Sequence, residues 1–415
     1  MAHVPGSAVT GARATDTTSG IHEAGAFQGL ALIFISLLPT LAIVSLVPNL
    51  PQFFARFRDV PHSELLVPMI ITLPSLCIAL FSPFAGAIAD FWGRRRLLLA
   101  AILMYTLVGV LPAFLNSLYA ILATRFVIGI AEAAILTCQN ALMGDYFAGA
   151  KRQRWLGLLS VIGPVAAGGL VLAGGMLGSI DWRGPFYLYL LGAPMLLWAA
   201  FVIFEPRPAG ERAEAVSLPK NAFPWSAARV VALVTIGISV LYFVQAIQLG
   251  RMFGDHGVDS PARISIFVTI ASVGVVLGGW VFSRMTKVSV RTRFVLIFLA
   301  LAIGYTGIGL APNAVAAVPF ALVAQFANGM TIPTLIGWAL GKFDFDHRGR
   351  GMGVWGGCFF VGTFLSPLLV TLIGNAAGSF LHTVAAIGIG CFVLAAITWM
   401  AAARTPEDAT ADASH

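Results

Sequence analysis

Charge is what this sequence has least of: only 10% of its 415 residues are Asp, Glu, Lys or Arg, against about 25% in a soluble globular domain. With 58% of the residues hydrophobic, there is too little polar side chain to cover a water-exposed surface, which excludes an ordinary soluble domain. Cysteine is almost as scarce. Cys77, Cys138, Cys358 and Cys391 all fall in apolar runs, at spacings that suit neither a disulfide framework nor a zinc site, and they read as small buried apolar residues. His22, His256, His347 and His382 are scattered through tails and run ends, so no metal site is expected. A Gly-Lys-Ser phosphate loop is missing, which excludes ATP hydrolysis by the chain itself. No Ser, His and Asp set has an enzyme's spacing, so neither an enzyme nor a cofactor is expected. The first 26 residues lack a charged start, a short apolar core and a small-residue cleavage site, and a cleavable signal peptide is not expected.

What the chain does have is apolar runs long enough to cross about 30 Å of hydrocarbon, which takes on the order of 20 residues each. Twelve are expected, at 27–50, 65–89, 96–115, 118–142, 155–178, 185–204, 228–250, 262–283, 293–311, 315–341, 352–374 and 379–402. They must be helices, because a backbone in lipid has to satisfy its own hydrogen bonds. The fold class is therefore all-α and membrane-spanning.

Lys and Arg collect in short cytoplasmic loops. Connections after even-numbered spans hold Arg94, Arg95 and Arg96; Lys151, Arg152 and Arg154; Arg207, Arg212 and Lys220; Arg284, Lys287, Arg291 and Arg293; and Lys342, Arg348 and Arg350. The other side has only Arg56, Arg58, Arg183, Arg251 and Arg263. Both termini are accordingly expected in the cytoplasm. The net charge of +7 is explained by this bias, so no nucleic-acid partner is expected.

The sequence repeats itself at about half its length. Gly86 and Asp90 of GAIAD correspond to Gly279 and Ser283, RFVIG from Arg125 is echoed by QFANG from Gln325, and KRQRWLG from Lys151 by HRGRGMG from His347. Three echoes in order predict two parallel six-helix halves: 27–204 and 227–402, joined by a cytoplasmic linker at 205–226 and flanked by tails at 1–26 and 403–415. Tails and linker of under about 30 residues are too short for an independent domain. Two such halves packed face to face enclose a cavity near the midplane, and rocking them exposes it to alternate sides.

Between the second and third spans runs GAIADFWGRRR, Gly86 to Arg96, a carboxylate and three arginines in a tight turn. It resembles the signature loop of the major facilitator superfamily of transporters. Gly86, Asp90, Gly93, Arg94 and Arg95 match, whereas Phe91 stands where that family usually has Arg or Lys. The resemblance extends over about residues 28 to 402. It implies a pseudo-symmetric twelve-helix fold whose first, fourth, seventh and tenth helices line the cavity. It also implies that Asp90 meets a helix end in the other half as a gate, while the arginines pair with acids. Asp145 is a candidate partner for Arg94 or Arg95, and Ser283 replaces the acid in the second copy.

Within the fourth span lie Arg125 and Glu132. Ionisable groups at membrane depth are costly and face a cavity or a partner. Seven residues bring them to nearly one face of the helix, roughly 10 Å apart along its axis. A carboxylate withdrawn from water can load and release a proton as its exposure changes, and an arginine, always charged, can hold that carboxylate or bind an anionic substrate group. The alternative is a fixed interhelical brace. The pattern in RFVIGIAE resembles the superfamily's fourth-helix motif, connected to proton coupling or substrate charge recognition.

Further substrate-contact candidates are Tyr242, Gln245 and Gln248 in the seventh span and Gln325, Asn328, Thr331 and Thr334 in the tenth, although amides in lipid also serve as interhelical glue. Asn49, beside Pro48 and Pro51, is a candidate site, capping or kink residue. GPVAAGG in the fifth span, with Gly163, Pro164, Gly168 and Gly169, resembles an antiporter motif but has three intervening residues in place of two; close helix packing is the other reading. These features predict a monomeric, proton-gradient-driven secondary transporter in a bacterial-type cytoplasmic membrane. Its partners would be protons, the bilayer and a small amphipathic compound that it exports, the alternative being proton-coupled uptake of an organic anion.

Overall fold

The computed structural model describes residues 24–205, 222–285, 287–344 and 347–400. Most of the expected linker and both expected tails lie outside them. Among the described residues are twelve helices long and apolar enough to cross a membrane: α1 (Ala26–Arg56), α2 (Ser63–Trp92), α3 (Arg94–Phe114), α4 (Leu118–Tyr146), α5 (Gly149–Ile180), α6 (Gly184–Val202), α7 (Trp225–Asp255), α8 (Pro261–Arg284), α9 (Val290–Leu310), α10 (Ala314–Leu340), α11 (Arg348–Gly374) and α12 (Phe380–Met400). The chain is an integral, multi-pass membrane protein, as its composition requires.

Several helices outrun their apolar stretches. α5 begins at Gly149, so Lys151, Arg152 and Arg154, expected in a loop, are helical. Hydropathy locates the hydrocarbon, whereas the backbone ladder continues until a residue leaves helical conformation. For α2 that residue is Gly93, whose φ of 98° terminates the helix and lets α3 start at once. α1 is interrupted: after Val44 it passes through a 3-10 turn, Val47–Asn49, and resumes at Leu50. Pro48 and Pro51, which lack N–H donors, and the Ser45 hydroxyl, which donates to Leu41 O at 2.6 Å, account for the break.

The internal repeat is visible in paired contacts 200 positions apart. Tyr105 on α3 donates its hydroxyl to Leu38 O on α1 at 2.6 Å, and Tyr305 on α9 does the same to Leu241 O on α7 at 2.5 Å. Gly129 on α4 lies against Pro74 of α2, and Gly329 on α10 against Val275 of α8; a methyl group on either glycine would come within 2.8 Å of the facing carbonyl oxygen. Glycine is needed here for close approach rather than for backbone conformation.

The halves meet through α2 with α11, α5 with α8 and α1 with α7. Successive spans alternate direction, so the arginine-rich loops gather at one end, the basic face. Packing is closest at the opposite end. There a methyl at Gly250 of α7 would fall 1.9 Å from Val47 O of α1, and one at Gly175 of α5 would fall 2.6 Å from Pro261 O of α8. Midway, the corresponding gaps at Gly168 to Thr269 and Gly357 to Ala79 are 3.9 and 4.0 Å. Towards the basic face, methyls at Gly157, Gly163, Gly353 and Gly356 would meet nothing within 4 Å. The halves are thus closed at one face and parted towards the basic one.

Candidate functional site

Arg125 is fully buried inside the first half. Its Nη1 donates to the Tyr189 hydroxyl at 2.7 Å and its Nη2 to Gly109 O at 3.4 Å. Its guanidinium carbon lies 5.2 Å from the Phe186 ring centre and 4.9 Å from that of Tyr189. Local structure explains the rings. Residues Gly184–Leu191 of α6 form a 3-10 helix, in which side chains three apart eclipse, so Phe186 and Tyr189 project together onto the cation. Tyr189 also packs 5.0 Å from Tyr105, whose hydroxyl holds α1.

Glu132, two turns along α4, is 1% exposed. It lies within electrostatic range of Arg125, Tyr105, Tyr189 and Cys77. Its Oε1 is buried without a hydrogen-bond partner, and among the described residues no ion pair joins it to Arg125. Sequence spacing placed the two on one face; the structure gives the arginine to Tyr189 and leaves a carboxylate oxygen unpaired.

In the second half the expected amides come together across α7 and α10. Asn328 Nδ2 donates to Gln325 Oε1 at 3.2 Å and to Tyr242 O at 3.4 Å, while Gln245 Nε2 donates to Ala321 O at 2.8 Å. The buried Oε1 atoms of Gln245 and Gln248 and Oδ1 of Asn328 have no partner. Thr331 and Thr334 instead donate within their own helix, to Ala327 O and Met330 O at 2.8 and 2.7 Å, the usual resort of an isolated hydroxyl in a helix. Beside Tyr242 lies an aromatic group that sequence reasoning passed over: Phe359 is 5.6 Å from the Tyr242 ring and stacks at 5.4 Å on Trp355, whose buried Nε1 is unpartnered. Phe243, Ile247 and Phe359, though second-half residues, pack into the first half's apolar core.

Asn49 proves to be a brace, with Nδ2 donating to Ser45 O and to Gly174 O of α5, both at 3.1 Å. The close packing anticipated for Gly163 to Gly169 occurs instead at Gly174 and Gly175. Pro164 sits within a helix that runs on uninterrupted.

At the basic face, Arg94 pairs with Asp145 of α4 and, at 3.7 Å, with Asp90. The Asp90 side chain is 61% exposed, and its described ion pair stays within the first half. Among the described residues the expected meeting with a helix end of the second half is not made, the halves being parted there. Glu205, unforeseen from sequence, accepts from the backbone N–H groups of Arg94 at 3.2 Å and Arg95 at 2.8 Å. A carboxylate is favoured at the N-terminus of α3 because the helix presents unpaired donors and positive partial charge there. Arg95 completes the link, donating to Ile203 O at 2.6 Å and Ala200 O at 2.8 Å.

A family model, Major Facilitator Superfamily, matches residues 30–367 of the chain. The chain belongs to the major facilitator superfamily. It is 27% identical over 368 residues to the tetracycline resistance protein, class C, of Escherichia coli, an overlap covering 84% of this chain and 91% of that protein. A shorter stretch of 156 residues is 31% identical to the multidrug resistance protein B homolog of Mycobacterium tuberculosis, covering 36% of this chain and 28% of that one. Among solved structures, a D-xylose-proton symporter has a TM-score of 0.72 at 14% identity, over 90% of this chain and 97% of the other; that likeness concerns the fold. As a superfamily member the protein is a membrane transporter of small molecules and not an enzyme. Against the superfamily's usual loop, Phe91 takes the place of a basic residue and is 88% exposed, leaving Arg94 to serve both Asp90 and Asp145.

Proposed function

We propose that this transporter exports a small amphipathic organic compound across the cytoplasmic membrane in exchange for protons, driven by the proton gradient without a cofactor. The observation that carries the reading is Glu132, a buried carboxylate with an oxygen left unpaired. Ionisable groups at membrane depth are costly and mark proton or substrate pathways, and an oxygen with no partner among the described residues leaves a place for a proton. The similarity to proteins named for tetracycline and multidrug resistance supports the export direction.

In the proposed cycle, Glu132 takes up a proton while the cavity opens to the outside, releases it when the halves part at the basic face, and substrate occupies the cavity in the complementary phase. The basic face and both termini lie in the cytoplasm in this scheme, following the Lys and Arg bias. Arg125 acts by position: its fixed charge disfavours a second cation nearby. The amides of α7 and α10 and the rings of Tyr242, Trp355 and Phe359 offer hydrogen bonds and apolar surface to the compound. Uptake of an organic anion would call for a free cation at the cavity, whereas Arg125 is fully buried and held by Tyr189 and Gly109.

A growth screen against antimicrobials and organic acids tests direction and substrate class together, comparing cells expressing the protein, its Glu132→Gln variant or neither. Resistance that disappears with Glu132→Gln is expected. Heightened sensitivity, or new growth on an organic acid, would reverse the direction.

A further inference from the structure

Sequence reading counts Arg251 only as one of the few basic residues on the sparsely charged side. In the structure it joins four helices from both halves. Arg251, near the end of α7, places Nη1 2.9 Å from Glu64 Oε2 in the first turn of α2. Its guanidinium lies 4.2 Å from the ring centre of Phe54 on α1 and 4.2 Å from that of Phe380, the first residue of α12. The cation is therefore held between two aromatic rings, one from each half, and tied to a carboxylate of the first half. It lies where the halves approach most closely, one position from Gly250 and three from Gly254, whose missing side chains admit Val47 and Pro51 of α1.

We infer that Arg251 is the latch of the face opposite the basic loops: its seat between Phe54 and Phe380 holds that face shut, and release from the seat is a step of opening. The inference rests on the alternating-access reading above. The rings carry more of the hold than the ion pair does. Glu64 is 64% exposed at its side chain while Arg251 is 17% exposed. An ion pair open to water contributes little, whereas a guanidinium sequestered between aromatic faces gains from both. Rocking the halves apart would carry Phe54 and Glu64 away from Arg251 and Phe380 together, so the seat exists in one state only. A contact made in one of two states shifts their populations by its full differential strength.

Spin labels placed at Asp59 and Asp259, exposed positions in the first and second half on the latched face, report the opening as a distance distribution in the full-length protein. Arg251→Ala should raise the ratio of open to closed separations by about thirtyfold, the scale of a desolvated cation–π contact. Phe54→Leu should raise it comparably, Arg251→Lys by less, and Glu64→Gln by no more than about threefold, the scale of an exposed ion pair. Phe54→Leu keeps every charge and guards against a variant that merely misfolds. An unchanged distribution in both Arg251→Ala and Phe54→Leu would overturn the latch, as would a larger effect of Glu64→Gln than of Phe54→Leu. The unaltered protein checks the underlying reading separately. Two separations whose balance moves with pH belong to the rocking itself, whereas a single fixed separation in it and in every variant would overturn rocking and latch together.

Discussion

Tyr189→Phe removes one oxygen atom from the interior of the first half and should be disproportionately costly. The ring remains, so the stacking on Arg125 at 4.9 Å and on Tyr105 at 5.0 Å persists. What disappears is the acceptor of the 2.7 Å bond from Arg125 Nη1. That cation is fully buried and its Nε already lacks a partner. The other described acceptor is Gly109 O at 3.4 Å, too long to compensate. Hydrogen bonds to charged groups are worth about 1.5–3 kcal/mol, and stranding a buried charged donor lies at the upper end. Tyr105→Phe is the matched control: it also deletes one buried hydroxyl, but a neutral one bonded to Leu38 O, worth about 0.5–1.5 kcal/mol. Equilibrium unfolding in mixed detergent micelles, followed by tryptophan fluorescence, measures both. The loss for Tyr189→Phe should be about twice that for Tyr105→Phe. Equal losses, or a Tyr189→Phe protein as stable as the parent, would refute the claim that Tyr189 satisfies Arg125.

Asp90→Asn should slow turnover more than it weakens substrate binding, since Asp90 is exposed at the parted face and has work only when that face closes; steady-state export set against equilibrium binding separates the two. Glu205→Ala strips the carboxylate from two backbone donors at the start of α3 and should cost about 1–2 kcal/mol by loss of the cap, read by the same unfolding assay. Gly129→Ala would set a methyl 2.5 Å from Cys77 Cβ and 2.7 Å from Pro74 Cα and should destabilise by about 1–3 kcal/mol. Gly163→Ala meets no atom within 4 Å and should be neutral or stabilise by up to about 1 kcal/mol through helix propensity; a costly Gly163→Ala would restore a packing role to the fifth-helix glycines.

The twelve spans were legible because lipid imposes length and hydropathy on each of them, and the repeat because three short motifs recur in order about 193 to 200 positions apart. Helix ends were less so, since Lys151 to Arg154 look like loop by charge while their backbone remains in α5. Arg125, Glu132 and Asp145 were found because a charge near or inside an apolar run stands out. Arg94 was an expected partner for Asp145, and the two do pair, but the groups around Arg125 were not found. Tyr189 and Phe186 look like ordinary members of an aromatic-rich apolar stretch, and only the 3-10 winding of that stretch turns both towards Arg125. Glu205 is the first residue of the stretch expected to be a cytoplasmic linker, yet the fold carries it 110 positions back to cap α3. Arg251 looked like one cation among several, because its rings come from α1 and α12, at opposite ends of the chain. Local pattern identifies which residues are costly to bury; which residues make that burial tolerable depends on helix rotation and on contacts between distant spans.

The central claim, that Glu132 carries the coupled proton, is tested most directly in inside-out vesicles with the compound found in the growth screen. An imposed proton gradient should drive accumulation by the parent protein and none by Glu132→Gln, while exchange of labelled for unlabelled compound at equal pH persists in both. Accumulation by Glu132→Gln at the parent's rate would contradict the account, and loss of exchange together with accumulation would assign Glu132 to binding or structure instead.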